Sequence, residues 1–320
     1  MKVAVLAGGP SNERDVSLRS AAQIVKALPK ARYAATLIEI PKDGAWPSWK
    51  DLAGFDVAFI GMHGKFGEDG RPQAFLEIMG VPYTGSGVLA SALGMDKART
   101  LETVARHGIH VPEEIVLATP PRGAAARARY ARIAAEKIGI PCVVKPNQSG
   151  SSIGVTIART KAALAPAIAK AFREDQNVIV QRYIKGREIT CGVMGNSGRT
   201  RLVALPPVEI VAAGEFFDYR AKYFAKETRE ICPAPLGGKM TREVQKLAMK
   251  AHEALGCDGA TRSDFILTPG GRFYFLEINT IPGLTEASLL PKEAAAQGMT
   301  FGEFLEAQIL LALDRHGKKG

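Results

Sequence analysis

Asp264-Phe265-Ile266-Leu267-Thr268-Pro269-Gly270-Gly271-Arg272-Phe273-Tyr274-Phe275-Leu276-Glu277-Ile278-Asn279 sets two apolar, aromatic-rich runs on either side of a Gly-Gly pair. Such runs read as a β-hairpin closed by a two-residue turn at Gly270-Gly271, or by a longer loop if Pro269 widens it. That register puts Asp264 opposite Glu277 and Arg262 opposite Asn279, all on one face. Two facing carboxylates destabilise a sheet unless something sits between them. Asp264, Glu277 and Asn279 are hard oxygen donors, a set suited to Mg²⁺ shared with a substrate phosphate. With Glu277 as a bridge, two ions roughly 3.5–4 Å apart fit the arrangement. The competing reading is a solvated hairpin with surface ion pairs. The alternation of acids with large apolar residues, and the run from Asn279 into Thr280-Ile281-Pro282-Gly283, favour the metal.

Three textures surround the hairpin. Residues 1–95 alternate short apolar runs with helical patterns: Val3–Ala7 ends in Gly8-Gly9, a helix pattern spans Ser17–Leu28, Ala34–Ile40 is strand-like, and Asp56–Met62 ends at His63-Gly64. This alternation predicts an α/β domain with a doubly wound parallel sheet, whose ligands bind at the carboxyl ends of strands. The two glycine-marked strand exits are then expected to face one crevice. Residues 96–181 hold a basic helix, Arg122–Lys137, and a Gly/Ser loop between two strands. Residues 182–320 carry further strands, a long aperiodic stretch at about 211–231, the hairpin, and a last helix opened by the capping box Thr300-Phe301-Gly302-Glu303.

Composition excludes several classes. The 320 residues are 46% hydrophobic and 23% charged, the balance of a globular protein. No apolar run approaches the roughly 18–20 residues of a membrane helix. Val3–Ala7 is too short for a secretory signal and is expected as a buried strand. The net charge of +10 favours phosphate-bearing partners. Its excess lies on a helix (Arg122, Arg127, Arg129, Arg132, Lys137) and in a short tail, without interleaved aromatics. Solvated surface therefore explains it better than nucleic acid or membrane does. Four cysteines without a Cys-x-x-Cys argue against zinc and for a reducing, cytoplasmic setting.

Other groups point toward a nucleotide. Asn147–Gly154 is not a P-loop, but its small residues let backbone N–H groups approach phosphate oxygens. Lys145 precedes it in an apolar strand, where an unpaired ammonium is costly and a phosphate is a natural partner. Glu13, just after Gly8-Gly9, either complements a helix dipole or points into the crevice to bind an amine. His63 stands at the other strand exit. The stretch from Gly214 to Thr228 brings five aromatic residues and two lysines, the makings of a lid that excludes water from a hydrolysable intermediate.

Together these stretches resemble the D-alanine–D-alanine ligases of the ATP-grasp superfamily. The resemblance runs through Gly8–Leu18, His63-Gly64, Gly67–Gly70, Pro82–Gly87, Met95-Asp96-Lys97, Val144-Lys145-Pro146, Gly150–Gly154, Asp218–Tyr223 and Glu277–Gly283. It implies an N-terminal substrate domain (1–95), a central domain (96–181) and a C-terminal catalytic domain (182–320), the latter two sandwiching ATP. Lys97, Lys145, Ser152 and Lys222 are implied on the phosphates, with Gln181, Tyr183, Ile184 and Glu188 around the nucleoside. Asp264, Glu277 and Asn279 would hold two Mg²⁺ or Mn²⁺ ions. Glu13, Val16 and His63 would receive the first D-alanine, and Ser288 and the Leu289 N–H the second. Arg262 and the Gly283 N–H would stabilise the oxyanion, while Glu13, Ser151 and Tyr223 would link the closed lid. The implied assembly is a homodimer.

Two positions depart from the family pattern. Gln181 stands where an acid usually accepts from the adenine amine, a role the Gln carbonyl can fill. Ala287 stands where some members carry His. Tyr223 favours an amino acid over D-lactate as acceptor. D-lactate or D-serine remains the alternative acceptor. A dehydrogenase is disfavoured because no Gly-x-Gly-x-x-Gly follows the first strand.

Overall fold

The computed structural model describes residues 1–150, 152–211 and 228–317. Ser151, Lys222, Tyr223 and most of the expected lid stretch lie outside them.

The first part runs β1 (Lys2–Gly8), α1 (Arg14–Ala27), β2 (Ala34–Ile40), α2 (Trp49–Leu52), β3 (Val57–Ile60), α3 (Arg71–Ile78), α4 (Val88–Met95) and α5 (Lys97–Arg106). Its sheet is parallel with order β2-β1-β3. Strand β1 is buried on both faces: Val3, Val5 and Ala7 pack with Ile24 of α1, and Ala4 and Leu6 pack with Leu76 of α3. This explains why it reads as an unbroken apolar run. The order reverses at β1, so the crevice lies beyond the ends of β1 and β3. Gly8 turns the chain there with φ +90°, and a Cβ would lie 2.5 Å from the Ile40 carbonyl oxygen.

The second part holds β4 (Glu114–Leu117), α6 (Gly123–Lys137), β5 (Cys142–Pro146), β6 (Thr156–Ala158), α7 (Lys161–Ala171) and β7 (Val178–Arg182). Its sheet is antiparallel with order β4-β7-β5-β6. Helices α6 and α7 cover one face through Ala134, Leu164 and Ile168.

The third part holds β8 (Arg187–Met194), β9 (Val203–Ala204), β10 (Val208–Val211), β11 (Arg229–Ile231), α8 (Gly237–Ala254), β12 (Ala260–Leu267), β13 (Phe273–Asn279), α9 (Leu289–Ala296) and α10 (Phe301–Arg315). Its antiparallel sheet runs β11-β10-β8-β12-β13, with β9 beside β8. The apolar stripe of α8 (Val244, Ala248, Ala251) packs on Phe265, Phe273 and Phe275. Leu101 and Val104 of α5 join that core, while Phe304, Leu305 and Ile309 of α10 return to the parallel sheet. Thr300 and Glu303 cap α10 reciprocally, as the sequence predicts.

The hairpin corrects one expectation. The loop has three residues, Pro269-Gly270-Gly271, rather than two. Gly271 N–H donates to the Thr268 carbonyl at 2.9 Å, and Gly271 has φ +76°. Pro269 suits the second position of a type I turn over Thr268–Gly271, and Gly271, the last residue of that turn, is the one in the left-handed region. This shifts the pairing by one near the turn, with Phe265 opposite Phe275. A bulge at Leu276 shifts it back, so Asp264 still faces Glu277 and Arg262 faces Asn279.

Candidate active site

A cleft of about 370 Å³ lies between the two antiparallel sheets. Lys97, Lys145, Ser152, Gln181, Tyr183, Ile184, Glu188, Asp264 and Glu277 line it. Lys145 is buried, and desolvation pulls its ammonium down to about 8 even though Glu277 and Glu114 favour the charge. Such a lysine gains from an incoming polyanion. Glu209 and Arg187 form a two-pronged ion pair on the rim, at 2.6 and 2.7 Å.

A second chamber opens beyond the ends of β1 and β3. It is lined by Glu13, Val16, His63, Arg262, Asn279, Gly283, Ser288 and Leu289, among others. The two glycine-marked strand exits therefore face one crevice. Glu13 precedes α1 but makes no side-chain cap to it. Its carboxylate lies in the chamber against the backbone of Gly64 and Gly150. His63 is buried, with Nε2 3.0 Å from Ser20 Oγ and Nδ1 3.3 Å from the Ile281 carbonyl. The carbonyl places the proton of a neutral ring on Nδ1. Across the chamber, Ser288 precedes α9 and its Oγ accepts from Thr285 N–H at 3.2 Å. The Leu289 N–H belongs to the first helical turn, where backbone donors lack intrahelical partners and attract anions.

Cleft and chamber share Lys97, Ser149 and Glu277. Lys97 Nζ donates to the Ser149 carbonyl at 2.8 Å and stands 3.2 Å from Glu277 Oε2. Beside it, Arg262 grips Asp264 with two hydrogen bonds of 2.9 Å, and Thr190 Oγ1 donates to Asp264 at 2.6 Å. The facing acids are thus held apart by separate cations, Arg262 on Asp264 and Lys97 on Glu277. Burial opposes the Arg262 charge, but Asp264, Glu277 and Glu293 outweigh it. Carboxylates, ammonium and guanidinium converge where a phosphate in the cleft would meet a small acid or amine in the chamber.

The D-ala D-ala ligase C-terminus family model matches residues 103–310, and the D-ala D-ala ligase N-terminus model matches residues 2–53 and 47–86. The chain belongs to the D-alanine–D-alanine ligase family. It is 45% identical over 305 residues to a D-alanine--D-alanine ligase of Syntrophotalea carbinolica, spanning 95% of this chain and 94% of that one. The D-alanine--D-alanine ligase of Bacillus anthracis complexed with ATP superposes with a TM-score of 0.82 at 32% identity, covering 99% of both chains. The VanG D-Ala:D-Ser ligase of Enterococcus faecalis superposes with a TM-score of 0.85 at 32% identity, covering 98% of this chain and 99% of that one. The ATP-grasp architecture follows from this membership, with a parallel N-terminal sheet and two antiparallel sheets flanking the cleft.

A divalent metal fits the donor chemistry of this ligase site. Asp264, Glu277 and Asn279 offer hard oxygens. Among the described residues no group of three His, Cys, Asp or Glu stands close enough to hold an ion by itself. The set therefore suits an ion whose remaining ligands come from phosphate and water.

Three acids escaped the sequence reading as site residues. Glu68 is buried in the chamber wall and accepts from Gly64 N–H at 2.7 Å; burial, then Glu13, push it up to about 8. Glu114 stands behind Gln181 and is pushed up to about 7, first by burial. Glu293 is fully buried and accepts from Gly192 N–H at 2.5 Å. The available signal was an acid inside or beside an apolar run, as in Glu114-Ile115-Val116-Leu117.

Proposed function

We propose that this ligase couples ATP cleavage to the joining of two D-alanine molecules, supplying D-alanyl-D-alanine for peptidoglycan. The observation that carries the reading is the junction itself: cleft and chamber meet at Lys97 and Glu277, flanked by Asp264 and Arg262. ATP lies in the cleft, its phosphates toward Lys97, Lys145 and the loop containing Ser152. Asp264, Glu277 and Asn279 would hold Mg²⁺ or Mn²⁺, which neutralises phosphate charge when bound. The family resemblance adds Lys222 to the phosphate contacts and the Ser151–Tyr223 pair to lid closure. It also supports boundaries near residues 95 and 181, a homodimer and a cytoplasmic setting.

In the chamber, Glu13 and His63 orient the first D-alanine. Its carboxylate oxygen bonds to the γ-phosphorus as the bond to ADP breaks, giving an acyl phosphate. Ser288 and the Leu289 N–H hold the carboxylate of the second D-alanine. Its amine attacks the acyl carbon and loses a proton, and phosphate leaves. Arg262 and the Gly283 N–H stabilise the oxyanion between these events, a preorganised electrostatic role. ADP release with D-alanine alone tests the proposal. Turnover is expected, and its absence while D-serine or D-lactate supports the reaction would move the assignment to another acceptor.

A further inference from the structure

Gln181 and Glu114 are cross-strand partners on β7 and β4. Gln181 is 2% exposed and lines the cleft. Its Nε2 donates to Glu114 Oε2 at 3.2 Å. Above about pH 7 the Glu114 carboxylate is ionised and only accepts, so there it fixes the amide orientation: the NH₂ faces Glu114, as observed, and the carbonyl is the end left for the cleft. Without that partner a buried amide is free to turn, since its two ends are nearly the same size. The groups acting on Glu114 are Lys145 of β5, which favours its ionised form, and Asp96 ahead of α5, which opposes it.

We propose that Glu114 is a positioning residue which holds the Gln181 carbonyl toward the nucleotide base, so that the ligase selects a 6-amino purine triphosphate over a 6-oxo one. A 6-amino group donates to that carbonyl. A 6-oxo group sets acceptor against acceptor and leaves both unsatisfied, the kind of mismatch that discriminates strongly in a buried site. The inference rests on the cleft being the nucleotide site.

The experiment compares ATP with inosine triphosphate in ADP or IDP release at saturating D-alanine. The parent is expected to prefer ATP by about tenfold or more in kcat/KM, the worth of one buried hydrogen bond. Glu114→Leu is expected to bring the two nucleotides within about threefold of each other, through a higher KM for ATP rather than a lower kcat. Exchanging the pair, Glu114→Gln with Gln181→Glu, keeps the hydrogen bond and an acceptor toward the base, and should retain the preference for ATP. Undiminished discrimination in Glu114→Leu would overturn the proposal, as would equal use of both nucleotides by the parent or the exchanged pair. The exchanged pair keeps the test open if Glu114→Leu does not fold. Failure of the parent with both nucleotides would overturn the reading of the cleft as well.

Discussion

Lys97 Nζ stands 3.2 Å from Oε2 of Glu277, at the place where the cleft opens into the chamber. The Glu277 side chain is 39% exposed, so the pair itself adds little stability. Its value lies in position. Glu277 faces Asp264 across the hairpin and is the donor that links both pockets. Glu277→Ala is expected to cut ADP release by about a hundredfold or more, the scale of losing a preorganised electrostatic partner. Thermal unfolding should move little. A variant turning over at the parental rate would sink the assignment of the hairpin as the phosphate and metal platform.

Lys145 predicts a pH dependence of nucleotide binding. Its burial draws the ammonium down to about 8 in the free protein. Below pH 8 the charge is present and attracts phosphate; above it the neutral amine does not. The KM for ATP should hold level from pH 6.5 to 7.5 and climb above pH 8. Lys145→Met should show a raised KM throughout, without that climb. A parental KM that stays flat to pH 9.5 contradicts the placement of Lys145 on the phosphates.

The legible parts of the fold were those governed by local rules. Alternating strands and helices gave the parallel sheet, and glycine-marked exits located the crevice. The hairpin pairing came out right although the turn did not. Pro269 and Thr268 lengthened the loop, and the bulge at Leu276 restored the register. A bulge depends on how β12 and β13 fit the whole sheet, which no window of sequence records. The same holds for Glu68 and Glu293. Their partners, Gly64 and Gly192 backbone N–H groups, become buried only when separate elements pack. The pairing of Glu114 with Gln181 was illegible for a related reason, because the two are distant in sequence and adjacent only in the sheet.

Glu68 predicts a pH dependence of stability. Its carboxyl is pushed up to about 8 by burial and by Glu13, against an ordinary value of 4.5. The folded chain therefore keeps this proton where the unfolded chain releases it. The contribution is fully present below about pH 4.5 and is lost as pH rises through about 8. Glu68→Gln keeps an acceptor for Gly64 N–H but cannot ionise. Between pH 5 and pH 9 its stability relative to the parent should improve, by on the order of 4 kcal/mol, nearly three units at about 1.4 kcal/mol per unit. Urea unfolding at both pH values reads this directly. A difference that does not change with pH would show that Glu68 does not titrate in this window.

Ser288 offers a test of the proposed separation of the two amino-acid positions. Its Oγ accepts from Thr285 N–H and lies 2.8 Å from Thr285 Oγ1, which fixes it at the start of α9, far along the chain from Glu13 on the opposite wall. A Cβ on Gly283 would lie 2.9 Å from that oxygen, so the serine and the Gly283 backbone are packed together. If Ser288 holds the second carboxylate as proposed, Ser288→Ala removes that hydrogen bond and leaves the first position untouched. Steady-state curves in D-alanine resolve two KM values when the sites differ in affinity. The second KM is expected to rise by about tenfold, as for one lost hydrogen bond to a charged group, while the first holds. Equal shifts in both would place Ser288 in the scaffold rather than at the acceptor carboxylate.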